Sequence, residues 1–99
     1  MFLLLSRYTK PLDEVERWLP EHRAFLDRYY AAGDFVVSGP LEPRTGGVIV
    51  VADRERAAVE AMLGEDPFVR EGVCEYEIVE FRVTKSAPAV SAFVSPARS

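Results

Sequence analysis

The chain has 99 residues, enough for one domain around one hydrophobic core. Its formal net charge of −4 argues against a nucleic-acid surface and against binding to anionic membranes, because both need clustered Lys and Arg. The one cysteine, Cys74, excludes an intramolecular disulfide and a cysteine-based zinc site. The apolar start at residues 2–5 is too short for a signal peptide or a membrane span. We therefore expect a cytoplasmic domain with neither a nucleic-acid nor a membrane partner.

The N-terminal third of the chain predicts one strand and one long helical segment. An apolar run over Phe2–Tyr8 has the length and composition of a strand. Residues 13–32 follow a helical period, with Asp13 as the expected N-cap and Gly33 as the residue that ends the helix. Pro20 interrupts this period. We expect either a kink there or two helices, with Pro20 in the first turn of the second.

The remaining elements alternate between strands and helices. In chain order we predict a strand at 35–38, a loop at 41–46, a strand at 48–52, a helix at 54–63, a helical turn at 65–68 and a strand at 73–83. Asp53 is the expected cap of the helix, and Asp66 caps the turn with Pro67 at its first position. Apolar residues in the last strand change phase at Ile78 and Val79, which predicts a β-bulge or a bend.

This element order predicts the ferredoxin-like βαββαβ fold of the α+β class, with two helices on one face of a four-stranded antiparallel sheet. The first and third strands are apolar at nearly every position, which indicates that both sheet faces are buried. A homodimer through the uncovered face satisfies this pattern; the alternative is a monomer with an exposed apolar face. Residues 1–84 would form the domain. Residues 85–99 would be a tail that is flexible alone but could dock on the domain or on the dimer partner through Phe93 and Val94.

His22 is the only histidine, and it lies in the apolar stripe of the first helix. Leu19 and Leu26 flank it along one edge, and Trp18 and Tyr29 along the other. A polar ring on a buried face needs a hydrogen-bond partner or a cavity. It is therefore either a general base that faces a cavity or a core histidine whose ring bonds to a backbone carbonyl.

Several short motifs follow His22 in a fixed order. Gly33 ends the first helix, Ser-Gly-Pro stands at 38–40, a Gly-rich loop leads into a strand, and Asp-Pro-Phe stands at 66–68. In this order the chain resembles the YCII-related (YciI-like) family over roughly residues 1–84. The resemblance implies a dimeric α+β barrel of ferredoxin-like halves. It also implies an active-site His–Asp pair, which matches His22 and Asp66 here. A chlorinated-aromatic dehydrochlorinase of that family and the similarly folded muconolactone isomerases suggest proton-transfer chemistry.

In such a pair the carboxylate of Asp66 would orient the imidazole of His22. Its local role as an N-cap is compatible with this, one oxygen capping while the other meets the ring. Ser38 could point into the same cavity or serve the turn, and Arg44 could hold an anionic substrate or be a solvated loop residue. Aromatic residues would form the cavity wall or belong to the core. The candidate substrate contacts are thus Ser38, Arg44, Tyr8, Trp18 and Phe68.

The sequence contains no Gly-rich phosphate loop, GxSxG or HExxH motif, and one His with one Cys makes a tight metal site within a protomer improbable. We therefore expect no cofactor. The first hypothesis is a lyase or isomerase that moves a proton on a small organic acid. The second is a non-catalytic dimer that binds a small molecule or a partner protein, with the His–Asp pair as a structural tie. A cofactor-free monooxygenase is a third. A cavity open to the edge of the imidazole favours the first, and a ring closed over by Trp18, Phe68 and Tyr29 favours the second.

Overall fold

The computed structural model describes residues 1–94. Its strands are β1 (Phe2–Tyr8), β2 (Phe35–Pro40), β3 (Gly46–Val51) and β4 (Cys74–Glu80). Its helices are α1 (Leu12–Arg17), α2 (Leu19–Ala31), α3 (Arg56–Leu63) and α4 (Pro67–Arg70), followed by a 3₁₀ helix at Pro88–Phe93. The strands form one antiparallel sheet in the order β2-β3-β1-β4. The predicted α+β class and four-stranded antiparallel sheet are confirmed.

The core lies on one face of this sheet. Phe2 and Leu4 of β1 are fully buried and pair with Val51 and Ile49 of β3. Phe25 of α2 packs into the same cluster, so the helix covers this face of the sheet. Burial of such apolar side chains is the main driving force that holds the helices on the sheet. The alternate positions of the central strands β1 and β3, together with one residue of the edge strand β4, form what we call the second face: Leu3, Leu5, Val48, Val50 and Val79.

The long helical segment is two helices. The chain changes direction at Trp18, whose backbone (φ −100°, ψ 4°) ends α1 and precedes α2. Pro20 lies in the first turn of α2, where its missing N–H costs no helical hydrogen bond, so the two-helix alternative is correct. The predicted N-cap was wrong. The N-cap position is Pro11, two residues earlier, and Asp13 lies in the first turn of α1, where a carboxylate is favourable beside the helix dipole.

The second predicted cap was also wrong. α3 begins at Arg56 and its N-cap position is Glu55, so Asp53 does not cap it. The backbone N–H of Asp53 instead donates to the carbonyl of Phe93 at 2.9 Å, and its carboxylate lies 3.4 Å from the N-terminal amino group of Met1. These contacts join the residues before α3 to the C-terminal segment and to the N-terminus.

The last strand contains no bulge. β4 pairs with β1 without interruption and ends at Glu80, which lies opposite Phe2 at the start of β1. Ile78 and Val79 are successive residues of β4, whereas Phe81 and Val83, which suggested the changed phase, lie beyond the strand. The register shift in the sheet lies in β2, between Phe35 and Val37.

Two glycines meet backbone requirements that a side chain would violate. Gly33 follows α2 with φ at +80° and ends the helix as predicted. Gly46 lies so close to β1 that a Cβ built on it would stand 1.8 Å from the carbonyl oxygen of Ser6. The N–H of Gly47 donates to the Ser6 hydroxyl at 2.8 Å. β3 therefore approaches β1 closely beside Ser6, at the end of the sheet where the site lies.

The C-terminal segment reaches the domain within the described residues through the Phe93 carbonyl, which accepts from Asp53. Its 95–99 portion lies outside the described residues, and docking of the tail on a dimer partner stays a prediction. None of the helices within residues 1–94 has the length and apolar character that crossing a bilayer requires.

Candidate active site

His22 and Asp66 lie side by side between α2 and the start of α4. The Nδ1 atom of His22 is 2.8 Å from Oδ1 of Asp66, whose side chain is fully buried. The same Oδ1 accepts the backbone N–H of Phe68 at 2.9 Å, which is the predicted N-cap contact of α4. Because the carboxylate is an acceptor, Nδ1 carries the proton that is shared with it. One oxygen thus serves both roles, where we expected the two oxygens to divide them.

The second oxygen of Asp66 has a partner that the sequence did not suggest. The hydroxyl of Tyr76 donates to Oδ2 at 2.8 Å. Burial, followed by the charge of Asp66, raises the pKa of Tyr76 far above its ordinary value of 10, so the phenol remains a donor. Tyr76 stands opposite Ser6 across β4 and β1. The only sequence signal for it was a polar-tipped residue at a core-facing position of a strand.

The His22 ring is held but not enclosed. Phe68 stacks on it with 3.9 Å between ring centroids and 2° between planes. Only 12% of the His22 side chain is exposed. In the described part of the chain every buried side-chain N or O has a hydrogen-bond partner. Nε2 of His22 has none there, so it is open to solvent. The imidazole therefore presents an unpaired nitrogen on the side away from Asp66.

That side borders a cavity of about 410 Å³, a size suited to a small organic molecule. The helix α2 contributes one wall, formed by Leu19, His22, Arg23 and Leu26, which follow the i, i+3, i+4, i+7 spacing of one helix face. The strands, one loop and α4 contribute the rest: Ser6, Tyr8, Ser38, Gly39, Pro40, Arg44, Gly47, Val48, Ile49, Phe68 and Tyr76.

Four of the five predicted substrate contacts line this cavity. Ser38 and Tyr30 share a hydroxyl–hydroxyl hydrogen bond of 2.6 Å. Arg44 donates from Nη1 to Glu16 at 3.0 Å, and a hydrogen bond with the Tyr8 hydroxyl is the largest cause that raises the pKa of the guanidinium. Tyr8 itself and the stacked Phe68 are the other two.

Trp18, the fifth candidate, is not among the lining residues. Its ring packs against the smaller core cluster around Val15 and Phe68, with the guanidinium of Arg17 5.6 Å from the ring centre. The helical period placed Trp18 beside His22. The break between α1 and α2 changes its direction, so the structure lends no support to a substrate contact.

Besides Tyr76, the sequence analysis missed two lining residues with polar side chains, Arg23 and Ser6. A helical wheel puts Arg23 with the charged residues, yet it borders the cavity at the edge of the α2 stripe. The apolar run predicts Ser6 only as part of a strand, yet Ser6 lines the cavity and its hydroxyl accepts the N–H of Gly47. The i+4 spacing from Leu19 to Arg23 was a signal that could have identified the first.

Other chemistry finds little support in the described residues. No group of three or more His, Cys, Asp or Glu residues within 1–94 is arranged to hold a metal ion. The thiol of Cys74 is buried, and this burial raises its pKa to about 12, so it is neutral and a poor nucleophile at neutral pH.

Comparisons with known proteins identify the fold and the family of the chain. No curated protein sequence matches the chain significantly. A solved structure, the 5-chloro-2-hydroxyhydroquinone dehydrochlorinase TftG from Burkholderia phenoliruptrix AC1100 in complex with 2,5-dihydroxybenzoquinone, has a similar fold, with a TM-score of 0.68 and 20% sequence identity. The match covers 82% of this chain and 93% of that one. The family model of the YCII-related domain matches residues 1–82. The chain therefore belongs to the YCII-related family.

Proposed function

We propose that this protein is a cofactor-independent enzyme of the lyase or isomerase type that transfers a proton on a small organic acid. His22 is the general base, and Asp66 is the residue that orients it. One observation carries the proposal: Asp66 holds Nδ1 while Nε2 stands unpaired at a cavity. An imidazole in this tautomer has its free electron pair on Nε2, where it can accept a proton from a bound molecule.

The proposed step is a proton transfer from the substrate to Nε2 of His22. Nε2 takes a proton from the bound acid, and the electron pair of the broken bond stays on the substrate. In a lyase-type reaction that pair forms a double bond while a leaving group departs with its own pair. In an isomerisation the imidazolium returns the proton to a different atom. The carboxylate of Asp66 stabilises the imidazolium, and Tyr76 and the N–H of Phe68 fix that carboxylate in place.

The fold neighbour supports the reaction class. TftG is named for a dehydrochlorination, which is a lyase-type reaction, and its structure holds a quinone. A dihydroxyquinone is planar and acidic, and it fits within a cavity of about 410 Å³. We propose Ser38, Arg44, Tyr8 and Phe68 as substrate contacts because all four line this cavity.

We also propose that the protein is a cytoplasmic homodimer that forms through the second face. The residues Leu3, Leu5, Val48 and Val50 make this face apolar along both central strands. Covering it with a second copy would remove that surface from water. Light scattering on the purified chain tests this: Val50→Lys should convert a dimer to a monomer. A wild-type monomer, or a dimer unaffected by the substitution, would contradict it.

Activity can be tested with 5-chloro-2-hydroxyhydroquinone and a panel of small aromatic acids. Chloride release is measured for the first, and uptake of deuterium from solvent, followed by NMR, for the others. We expect His22→Gln to lower the rate about 10²- to 10⁴-fold, the usual range for loss of a general base. Glu21→Gln, at the neighbouring exposed position of α2, is the matched control and should leave the rate unchanged.

The outcomes separate the proposal from the non-catalytic alternative. The stacked Phe68, which leaves His22 only 12% exposed, is the observation that favours a binding module in which His22 and Asp66 are structural. Binding of the acids without turnover, or turnover that survives His22→Gln, would decide against His22 as the base.

A further inference from the structure

We infer that the cavity selects planar ring compounds that carry a negatively charged oxygen, and that Arg23 is the residue that binds this charge. The inference rests on the proposed function, because it names the substrate class of the same site. It assigns to Arg23 a role that the sequence had suggested for Arg44.

The charge of the cavity wall is opposite to that of the chain. The sequence has 16 acidic and 12 basic residues, yet among the described residues no Asp or Glu lines the cavity. Two arginines do, Arg23 and Arg44. Asp66 stands behind His22, fully buried, with three donors around its carboxylate. A cavity bordered by one sign of charge concentrates ligands of the other sign.

The two arginines differ in what they already bind. Arg44 donates to Glu16 at 3.0 Å and interacts with Tyr8, so part of its donor capacity is taken. Arg23 has no ion pair or side-chain hydrogen bond within residues 1–94. It also follows His22 directly on the wall that α2 contributes. A free guanidinium can bind a carboxylate or phenolate oxygen through paired N–H donors.

The rest of the wall favours a flat, apolar body. Leu19, Leu26, Ile49 and Phe68 supply aliphatic and aromatic surface beside the imidazole. A flexible polyol would leave this surface and its own hydroxyls unmatched, whereas an aromatic or quinonoid ring matches it. An acid of this class, placed with its charge at Arg23, brings the ring to the same wall that carries His22.

Two probes of nearly the same shape, one charged and one neutral, test the inference: 2,5-dihydroxybenzoate and 2,5-dihydroxybenzamide. Their affinities are measured by calorimetry at low salt for wild type, Arg23→Gln and Arg82→Gln. Arg82 is exposed and outside the cavity wall, and its substitution changes the net charge equally. Wild type should bind the benzoate about tenfold or more tightly than the amide.

Arg23→Gln should weaken benzoate binding about 5- to 30-fold and leave amide binding nearly unchanged. Arg82→Gln should change neither by more than about twofold, the small effect of a distant screened charge. The inference is overturned if wild type binds both probes equally or neither, or if Arg23→Gln keeps the full preference for the benzoate. Failure of the proposed function looks different: the benzoate binds through Arg23, but no acid is turned over or His22→Gln has no effect on the rate.

Discussion

Two hydrogen-bonded polar pairs lie near the two ends of helix α2, and they are built in different ways. At the site, His22 meets Asp66 and leaves Nε2 open to the cavity. Just past the other end of α2, Arg54 meets Asp34 at 2.7 Å through Nε. Its two terminal nitrogens donate to the carbonyls of Asp53 and Gly33 at 3.2 and 3.1 Å.

The difference separates a structural cross-link from a pair with spare binding capacity. Arg54 directs all its nitrogens at protein atoms and so ties the end of α2 to the segment before α3. His22 directs only one of its two nitrogens at protein. A pair whose nitrogens all face protein atoms indicates a structural role, whereas an unpaired nitrogen beside a cavity indicates chemistry.

Of the substitutions that test this comparison, removal of Asp66 should cause the largest loss of stability. Asp66→Ala leaves His22, Tyr76 and the N–H of Phe68 without their acceptor in a buried place, and we expect a loss of about 3–5 kcal/mol in the free energy of unfolding. Urea denaturation followed by Trp fluorescence measures it. Asp34→Ala is the matched control and should cost about 1–2 kcal/mol, because the Asp34 side chain is partly exposed. Equal losses would mean that the two pairs are equivalent.

Removal of Arg54 should affect stability alone. Arg54→Gln breaks the contacts to Asp34 and Gly33, and since the guanidinium is about one-third exposed we expect a loss of about 1–2 kcal/mol. Binding of 2,5-dihydroxybenzoate should stay within about twofold of wild type, since Arg54 does not line the cavity. Thermal denaturation and calorimetry on the same sample measure both. A fall in affinity as large as that of Arg23→Gln would contradict the separation of the two pairs.

Tyr76→Phe should give a smaller effect. The substitution keeps the ring but removes one donor to Asp66, at a cost of about 1 kcal/mol. The rate of the proposed proton transfer should fall by a few fold through kcat, because His22 is positioned less firmly while the cavity keeps its shape. Urea denaturation and steady-state kinetics measure the two effects. Tyr30→Phe, which loses a hydrogen bond with Ser38 at a more exposed place, should cost less stability. A rate unchanged in Tyr76→Phe would mean that Asp66 alone sets the orientation of His22.

The smallest predicted effect is a pH dependence that arises outside both pairs. Below about pH 8 the thiol of Cys74 is protonated in the folded and the unfolded chain, so it does not change stability with pH. Between about pH 8 and about 12 the unfolded thiol ionises while the folded one stays protonated, because burial raises its pKa to about 12. The folded state therefore loses stability as the pH rises.

At pH 9.5 this loss should amount to about half a kcal/mol relative to pH 7.5. Urea denaturation at the two pH values measures it, and Cys74→Ala should show a correspondingly smaller difference. An identical pH dependence in the two proteins would show that the thiol ionises equally in both states.

Local patterns predicted most of the fold. Hydrophobic period and turn residues predict every strand, and the Asp-Pro-Phe triplet predicts the N-cap of α4. The errors in the predicted fold lie at the ends of helices and strands, where a single hydrogen bond determines whether a residue belongs to the element. β2 continues through Gly39 and Pro40 because it is an edge strand, where a proline at the end disrupts no inner ladder.

The sequence predicted only those site residues that a local pattern or motif identifies. His22 and Asp66 were found from an apolar stripe, a capping motif and a family resemblance. Tyr76 depends on the register between β4 and β1, and the contact of Glu16 with Arg44 joins α1 to a loop 28 residues away. No local period contains such information. Arg23 was missed for a different reason, because it stands at the edge of the stripe, where the wheel does not separate lining from solvated positions.

The double use of one oxygen of Asp66 has a consequence for recognising active relatives. Because Oδ1 both starts α4 and meets the imidazole, selection for folding alone would keep an aspartate at this position. A descendant that had lost its chemistry would then still carry the Asp-Pro-Phe triplet. The Nε2 atom of His22, in contrast, makes no hydrogen bond within residues 1–94 that the fold would need. In sequence surveys, a histidine matching His22 together with an arginine matching Arg23 should therefore be a better marker of a working site than the aspartate.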